Sequence, residues 1–144
     1  MFSARSRSGV SRRVVSLVLA GLFMSGGAVA AASAASAAPA GCPSGYSCGW
    51  KDRDYLTAGT STALTFSCSI RNITTVATWD NNITSVYNNS SGGNTAVWFT
   101  DINYHGTPFY VAANAGFTRL NESYPNINDH ISSGYYDTPA CRNK

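Results

Sequence analysis

Two hexapeptides in this 144-residue chain set hard oxygen donors side by side in the same pattern. Asp80-Asn81-Asn82-Ile83-Thr84-Ser85 and Asn128-Asp129-His130-Ile131-Ser132-Ser133 lie 48 positions apart. Each reads as two carboxylate-or-amide residues, any residue, Ile, a hydroxyl residue and Ser. Carboxylates, amides, hydroxyls and backbone carbonyls are the oxygens that Ca²⁺ takes, about six to eight at a time. The Ile at the fourth place turns into a core and pins the loop, so that the hydroxyl of Thr84 or Ser132 can aim at an ion. Each hexapeptide supplies one carboxylate, a low charge that predicts weak binding with Kd roughly 10⁻⁴–10⁻³ M. One Asp-Asn cluster before a strand is an ordinary turn whose side chains bond their own backbone. A pair at matching places favours two cation sites.

The match extends upstream. Trp50-Lys51-Asp52-Arg53-Asp54-Tyr55 and Phe99-Thr100-Asp101-Ile102-Asn103-Tyr104 lie 49 positions apart. Four segments in one order at one period describe a supersecondary unit written twice. This arrangement resembles the βγ-crystallin domain, whose two Greek keys each carry an aromatic-x4-aromatic-x-Gly segment and a calcium hexapeptide. Phe99, Tyr104 and Gly106 fit the first motif in full; Trp50 and Tyr55 fit, but Thr57 stands in the Gly place and Gly59 follows two residues later. The resemblance implies an all-β, βγ-crystallin-like Greek-key β-sandwich over residues 41–144, with repeat one about 46–92 and repeat two about 93–138. It also implies that Thr84 and Ser132 coordinate by side chain and Asn82 and His130 by backbone carbonyl. Asp80, Asn81, Asn128 and Asp129 would complete the two sites by exchange between the repeats.

The elements that would carry these motifs read as short strands. Residues 47–51, 63–70, 84–88, 95–100, 108–112 and 132–136 are rich in β-branched and aromatic side chains. Turn formers separate them, including Ala58-Gly59, His105-Gly106 and Tyr124-Pro125-Asn126. Residues 88–94 read as the linker between the repeats, and no stretch sustains a 3.6-residue period, so no long helix is expected.

Residues 1–40 read as a signal peptide with a small-residue tail. Arg5, Arg7, Arg12 and Arg13 precede an apolar run over 14–24, and Ala28-Val29-Ala30, Ala35-Ser36-Ala37 and Ala38-Pro39-Ala40 offer cleavage sites. The run is too short for a membrane span of about 20 residues. A secreted monomer with no membrane span is expected. The formal charge of +3 includes four signal arginines. From Gly41 onward Lys51, Arg53, Arg71, Arg119, Arg142 and Lys144 face seven acids, six against seven, a net charge of −1. That balance argues against a nucleic-acid partner.

All four cysteines, Cys42, Cys48, Cys68 and Cys141, follow the signal, and an even count in a short exported chain predicts two disulfides. Three connectivities are possible; Cys42–Cys48 with Cys68–Cys141 is the expected one. The cysteine spacing lacks the paired pattern of zinc sites. No metalloprotease, serine-hydrolase or phosphate-loop motif occurs, so the chain is read as a non-enzyme. Asp52, Asp54 and Asp101 as a carboxylate pair, and Trp50, Trp79 and Trp98 as a sugar platform, are the weaker readings.

A narrower resemblance covers the exported chain. Cys42-Pro43-Ser44-Gly45-Tyr46-Ser47-Cys48-Gly49-Trp50, Ser85-Val86-Tyr87-Asn88-Asn89-Ser90 and Tyr124-Pro125-Asn126-Ile127-Asn128-Asp129 look like small actinobacterial proteins grouped with the Streptomyces-type metalloproteinase inhibitors. The resemblance implies a secreted inhibitor of an extracellular peptidase, most simply a metallopeptidase. Pro43, Ser44, Gly45, Tyr46 and Ser47 are its candidate inhibitory loop. The family's inhibitors also use a second short disulfide loop, which this chain lacks, so no reactive bond is transferred. The alternatives are a non-inhibitory calcium-binding structural or cell-surface module and an antimicrobial or carbohydrate-binding protein.

Overall fold

The computed structural model describes residues 37–76 and 78–144; the signal peptide reading falls on residues that lie almost wholly outside these. Eight strands form two four-stranded antiparallel sheets. They are β1 (Tyr46–Trp50), β2 (Leu64–Phe66), β3 (Ser69–Ile70), β4 (Ser85–Asn89), β5 (Ala96–Phe99), β6 (Pro108–Val111), β7 (Ala115–Phe117) and β8 (Ser133–Tyr136). One sheet runs β2-β1-β4-β7 and the other β3-β8-β5-β6. The third strand of each half therefore sits in the sheet of the other half, and the first sheet maps onto the second when each strand number rises or falls by four. Two one-turn helices, α1 (Leu120–Ser123) and α2 (Pro139–Arg142), complete the fold.

This crossing corrects the reading of 63–70 as one strand. β2 pairs with β1, the chain breaks at Ser67–Cys68, and β3 pairs with β8 in the opposite sheet. β7 is not among the strands expected from residue types, because Ala115 and Gly116 carry little β propensity. Gly116 is there for space: a Cβ would lie 2.5 Å from the Val86 carbonyl oxygen and 2.7 Å from the Tyr55 hydroxyl.

Between the sheets lies a core that includes Phe66, Val86, Trp98, Phe109, Val111, Ile83 and Ile131. Phe66 stacks edge-on against Trp98 and Tyr136 at 4.9 and 5.7 Å. Each outer face carries its own aromatic group, related by the repeat. Trp50, Tyr55 and Tyr87 cluster on one, and Phe99, Tyr104 and Tyr135 on the other. The first is sealed by the Cys42–Cys48 disulfide and Ala63. Trp50 and Trp98 are fully buried, which removes both from any sugar platform.

The linker begins later than residue 88. Asn88 and Asn89 belong to β4, and Asn88 is fully buried. Its amide donates to the carbonyls of Asn94 and Val111, both at 2.8 Å, while its Oδ1 accepts from Ser90 N and the Tyr136 hydroxyl at 3.1 Å. A polar residue that reads as a turn former is tolerated inside because its amide nitrogen and oxygen are both partnered.

Burial drives the Tyr136 phenol well above its ordinary value of 10.0, and burial also raises Tyr55 and Tyr135. The folded state thus holds protons that the unfolded state releases above about pH 10. Stability from these groups is complete below that pH and falls as pH rises through it. Urea midpoints measured from pH 8 to 12 should decline above 10, and Tyr136→Phe should flatten the decline; an unchanged slope would remove Tyr136 as its source.

Candidate functional site

The sixth residue of each hexapeptide fixes the hairpin of its own repeat. Ser85 Oγ donates to the Asp52 carbonyl at 2.7 Å and accepts from Tyr55 N at 3.2 Å. Ser133 Oγ likewise donates to the Asp101 carbonyl at 2.5 Å and accepts from Tyr104 N at 3.0 Å. Both serines are fully buried. The bonds hold the hairpin backbone folded over the sheet, with Tyr55 and Tyr104 at φ of 62° and 64°. Sequence reasoning gave these serines no role, although their identity at the sixth place in both repeats was the available signal.

The first residues of each hexapeptide turn instead to the other repeat. Ser132 Oγ donates to Asp80 Oδ1 at 2.6 Å and lies 3.4 Å from Asn81 Oδ1. Thr84 Oγ1 donates to Asp129 Oδ1 at 3.2 Å. The backbones cross in the same sense: Asn81 N donates to the Ile131 carbonyl at 3.3 Å and Asp129 N to the Ile83 carbonyl at 3.2 Å. Asn81 and Asp129 occupy equivalent places and share left-handed backbone, φ 53° and 54°. Asn and Asp tolerate that region better than most residues. Ile83 and Ile131, both fully buried, fix the two loops in the core.

Among the described residues no three His, Cys, Asp or Glu side chains converge as a metal site of that type. The oxygens brought together here are of mixed kind, one carboxylate with amides and a hydroxyl. Adjacent ligands of Ca²⁺ at its usual bond lengths lie roughly 3 Å apart, close to the spacings at Ser132 and Thr84. Asn128 Oδ1 is buried with no hydrogen-bond partner, while its amide donates to Asp129 Oδ2 at 2.7 Å. A buried oxygen without a donor is what a cation would satisfy. The donor set therefore fits calcium. Asn82 and His130 turn their side chains to nearby backbone: Asn82 Nδ2 donates to the carbonyls of Thr78 and Asp80, and His130 Nδ1 to that of Asn128.

The surroundings of the two oxygen groups differ. Thr84, Asn128 and Asp129 open into a concavity shared with Lys51, Asp52, Arg53 and Asp54. Asp80, Asn81 and Ser132 open into one shared with Thr100, Asp101 and His130, with no Lys or Arg in its lining.

The model of peptidase inhibitor family I36 matches residues 35–111, more than half of the chain. The chain belongs to this family. No curated protein matched this inhibitor. Among solved structures it is similar to one concerned with the evolution of the eye lens βγ-crystallin domain fold, with TM-score 0.57 and 20% identity over 68% of this chain and 91% of that one. A βγ-crystallin from Ciona intestinalis aligns with TM-score 0.51 and 15% identity over 65% and 100% of the two chains. A βγ-crystallin from an archaeon aligns with TM-score 0.50 and 13% identity over 65% and 99%. These likenesses show the fold, a βγ-crystallin Greek-key sandwich, and with the family they point to a non-enzymatic peptidase inhibitor.

The I36 protein has two disulfides, Cys42–Cys48 and Cys68–Cys141. The first does not present all five residues of its loop. Tyr46 and Ser47 belong to β1, which pairs with β2 on one side and β4 on the other, and Ser47 is fully buried. Of the five, Pro43 and Ser44 are exposed, and Gly45 is half-buried with its N–H bonded to the Asn89 carbonyl at 2.7 Å. The accessible part is therefore Pro43 to Gly45. No described helix is long and apolar enough to cross a membrane. Asp52 Oδ2 accepts from Ala58 N at 2.6 Å, and Asp54 faces Arg119 at 3.5 Å, so these carboxylates brace loops.

Proposed function

We propose that the protein is a secreted inhibitor of extracellular metallopeptidases whose βγ-crystallin-like domain is stabilised by calcium at two weak sites. The family match over residues 35–111 carries the inhibitor reading. The even set of paired cysteines supports an oxidising, extracellular destination, and the resemblance to Streptomyces-type metalloproteinase inhibitors supports the peptidase class. An inhibitor of this kind gains affinity by holding its contact loop in the bound shape before association, which limits the entropy lost on binding. Titrating the secreted protein against a thermolysin-type metallopeptidase, with a small-peptide substrate and calcium in large excess, should give saturable, stoichiometric loss of activity. Full activity at micromolar protein would favour the non-inhibitory calcium-binding reading.

In the proposed sites Asp80, Asn81 and Ser132 would hold one ion with the His130 carbonyl, and Thr84, Asn128 and Asp129 the other with the Asn82 carbonyl. Bound calcium supplies a positive centre that draws the two repeats' loops together. With the ion at ten times its Kd, the gain is about 1.4 kcal/mol. The sites should be unequal, because the Thr84 concavity sets Lys51 and Arg53 beside Asp52, Asp54 and Asp129, whereas the other holds Asp80 and Asp101 with no Lys or Arg. At an exposed site that difference, about one unit of negative charge, is worth of the order of 1 kcal/mol, roughly a fivefold change in Kd. Calorimetry should show Ser132→Ala removing the tighter site and Thr84→Ala the weaker. Equal affinities, or the reverse assignment, would contradict the role given to the two cations.

A further inference from the structure

We propose that the inhibitor meets its peptidase through the tip of the first hairpin, with Leu56 entering a pocket that takes an aliphatic side chain. The inference rests on the inhibitor reading above and names the contact surface. The connection β1–β2, residues 51–63, is longer than its repeat counterpart β5–β6, residues 100–107. The shorter one closes at Gly106, where a Cβ would meet Thr100 Oγ1 at 2.2 Å. The longer one, which has Thr57 in the corresponding place, continues into a second turn. Thr57 and Thr60 exchange both backbone bonds, at 2.8 and 3.0 Å, around Ala58 and Gly59 at φ of 48° and 74°.

That extension is rigid on both sides of Leu56. On one side Tyr55 is held by Ser85 Oγ and by its ring contact with Trp50 at 5.1 Å. On the other side Thr57 Oγ1 accepts from Lys51 N at 3.2 Å, and Ala58 N bonds Asp52 Oδ2. The Leu56 carbonyl accepts from Asp52 N at 2.9 Å. Residues 61–63 do the structural covering, with the Ser61 carbonyl accepting from Trp50 Nε1 and Ala63 packed on the disulfide cluster. Leu56 joins neither apolar cluster of the described residues and is 40% exposed.

A single exposed Leu is ordinary on a protein surface. What distinguishes this one is a loop braced by hydrogen bonds on both sides of it, the preorganisation that tight binding rewards. The other exposed apolar residues fit a cleft less well. Tyr110 is on the outer face of β6 and not in a loop, Tyr124 packs against Phe109 at 4.8 Å, Ile102 sits within the Asp80 concavity, and Val76 is the least exposed of the set. The Pro43 to Gly45 loop offers only the small Pro43 ring as an apolar side chain.

The test measures Ki for the secreted protein and its variants against a panel of metallo-, serine and cysteine endopeptidases, with peptide substrates and excess calcium. For whichever enzyme the parent inhibits, Leu56→Glu should raise Ki roughly 100-fold, Leu56→Met less than about tenfold, and Ser44→Glu and Tyr110→Glu little. Melting temperatures of all four should stay near the parent's, because the positions are exposed. Inhibition that survives Leu56→Glu, or that Ser44→Glu abolishes instead, overturns the assignment while leaving the inhibitor reading intact. A parent that inhibits no member of the panel overturns both.

Discussion

Replacing Cys68 and Cys141 together by Ser should lower the unfolding free energy by about 4 kcal/mol, the loop-entropy value for a bond of this span. The two cysteines are 73 residues apart, against 6 for Cys42 and Cys48, for which the same relation gives only about 2 kcal/mol. The longer bond also acts at a vulnerable place. β3 has two residues, pairs on one side only, and is the strand that the first repeat lends to the second sheet. Cys68 directly precedes it, and the Cys68 carbonyl accepts from Tyr136 N at 2.8 Å. Without the bond the melting temperature should fall by roughly 20 °C for a domain of about a hundred residues. Exchange of the Tyr136 amide should accelerate before that of β1. A loss below a few degrees would mean that packing of β3 on β8 suffices by itself.

Ile131→Ala and Ile83→Ala should each cost about 3 kcal/mol, within the usual range for emptying a fully buried aliphatic site. Both residues are wholly buried in the core between the sheets. Each also carries the carbonyl that accepts from the opposite hexapeptide, at Asn81 N and Asp129 N. A cavity under one loop should therefore loosen the oxygen donors of both, and affinity for calcium at the proposed sites should fall along with stability. The double variant should depart from the sum of the singles, because the bonds Asn81 N to Ile131 and Asp129 N to Ile83 tie the two loops together. Denaturant melts with and without calcium measure both effects. Unchanged calcium affinity in Ile131→Ala would separate the donor loops from the core and refute the coupling.

Much of this was open to reading in one dimension. The repeat was visible in residue types alone, because each half must bury the same positions and turn at the same places. The Ile of each hexapeptide was expected in the core, and it lies there with zero exposure. The Thr57 departure also marked the place where the two hairpins differ. The five-residue disulfide loop was less legible: that Ser47 faces inward depends on β1 having a partner on both sides, which no local pattern reports.

By itself the sequence determined an all-β chain of two similar halves, the oxygen-rich loops at matching places, and a cysteine set suited to two bonds. These are local properties, set by residue type and short spacing. The tertiary structure alone decided that β3 and β7 trade sheets, that Asn88 is an interior clamp, and that the oxygens of one hexapeptide meet the hydroxyl of the other. Sheet partners are chosen by which distant strand completes the bonds and the buried face, so a short strand such as Ala115–Phe117 is fixed by its neighbours more than by its own side chains.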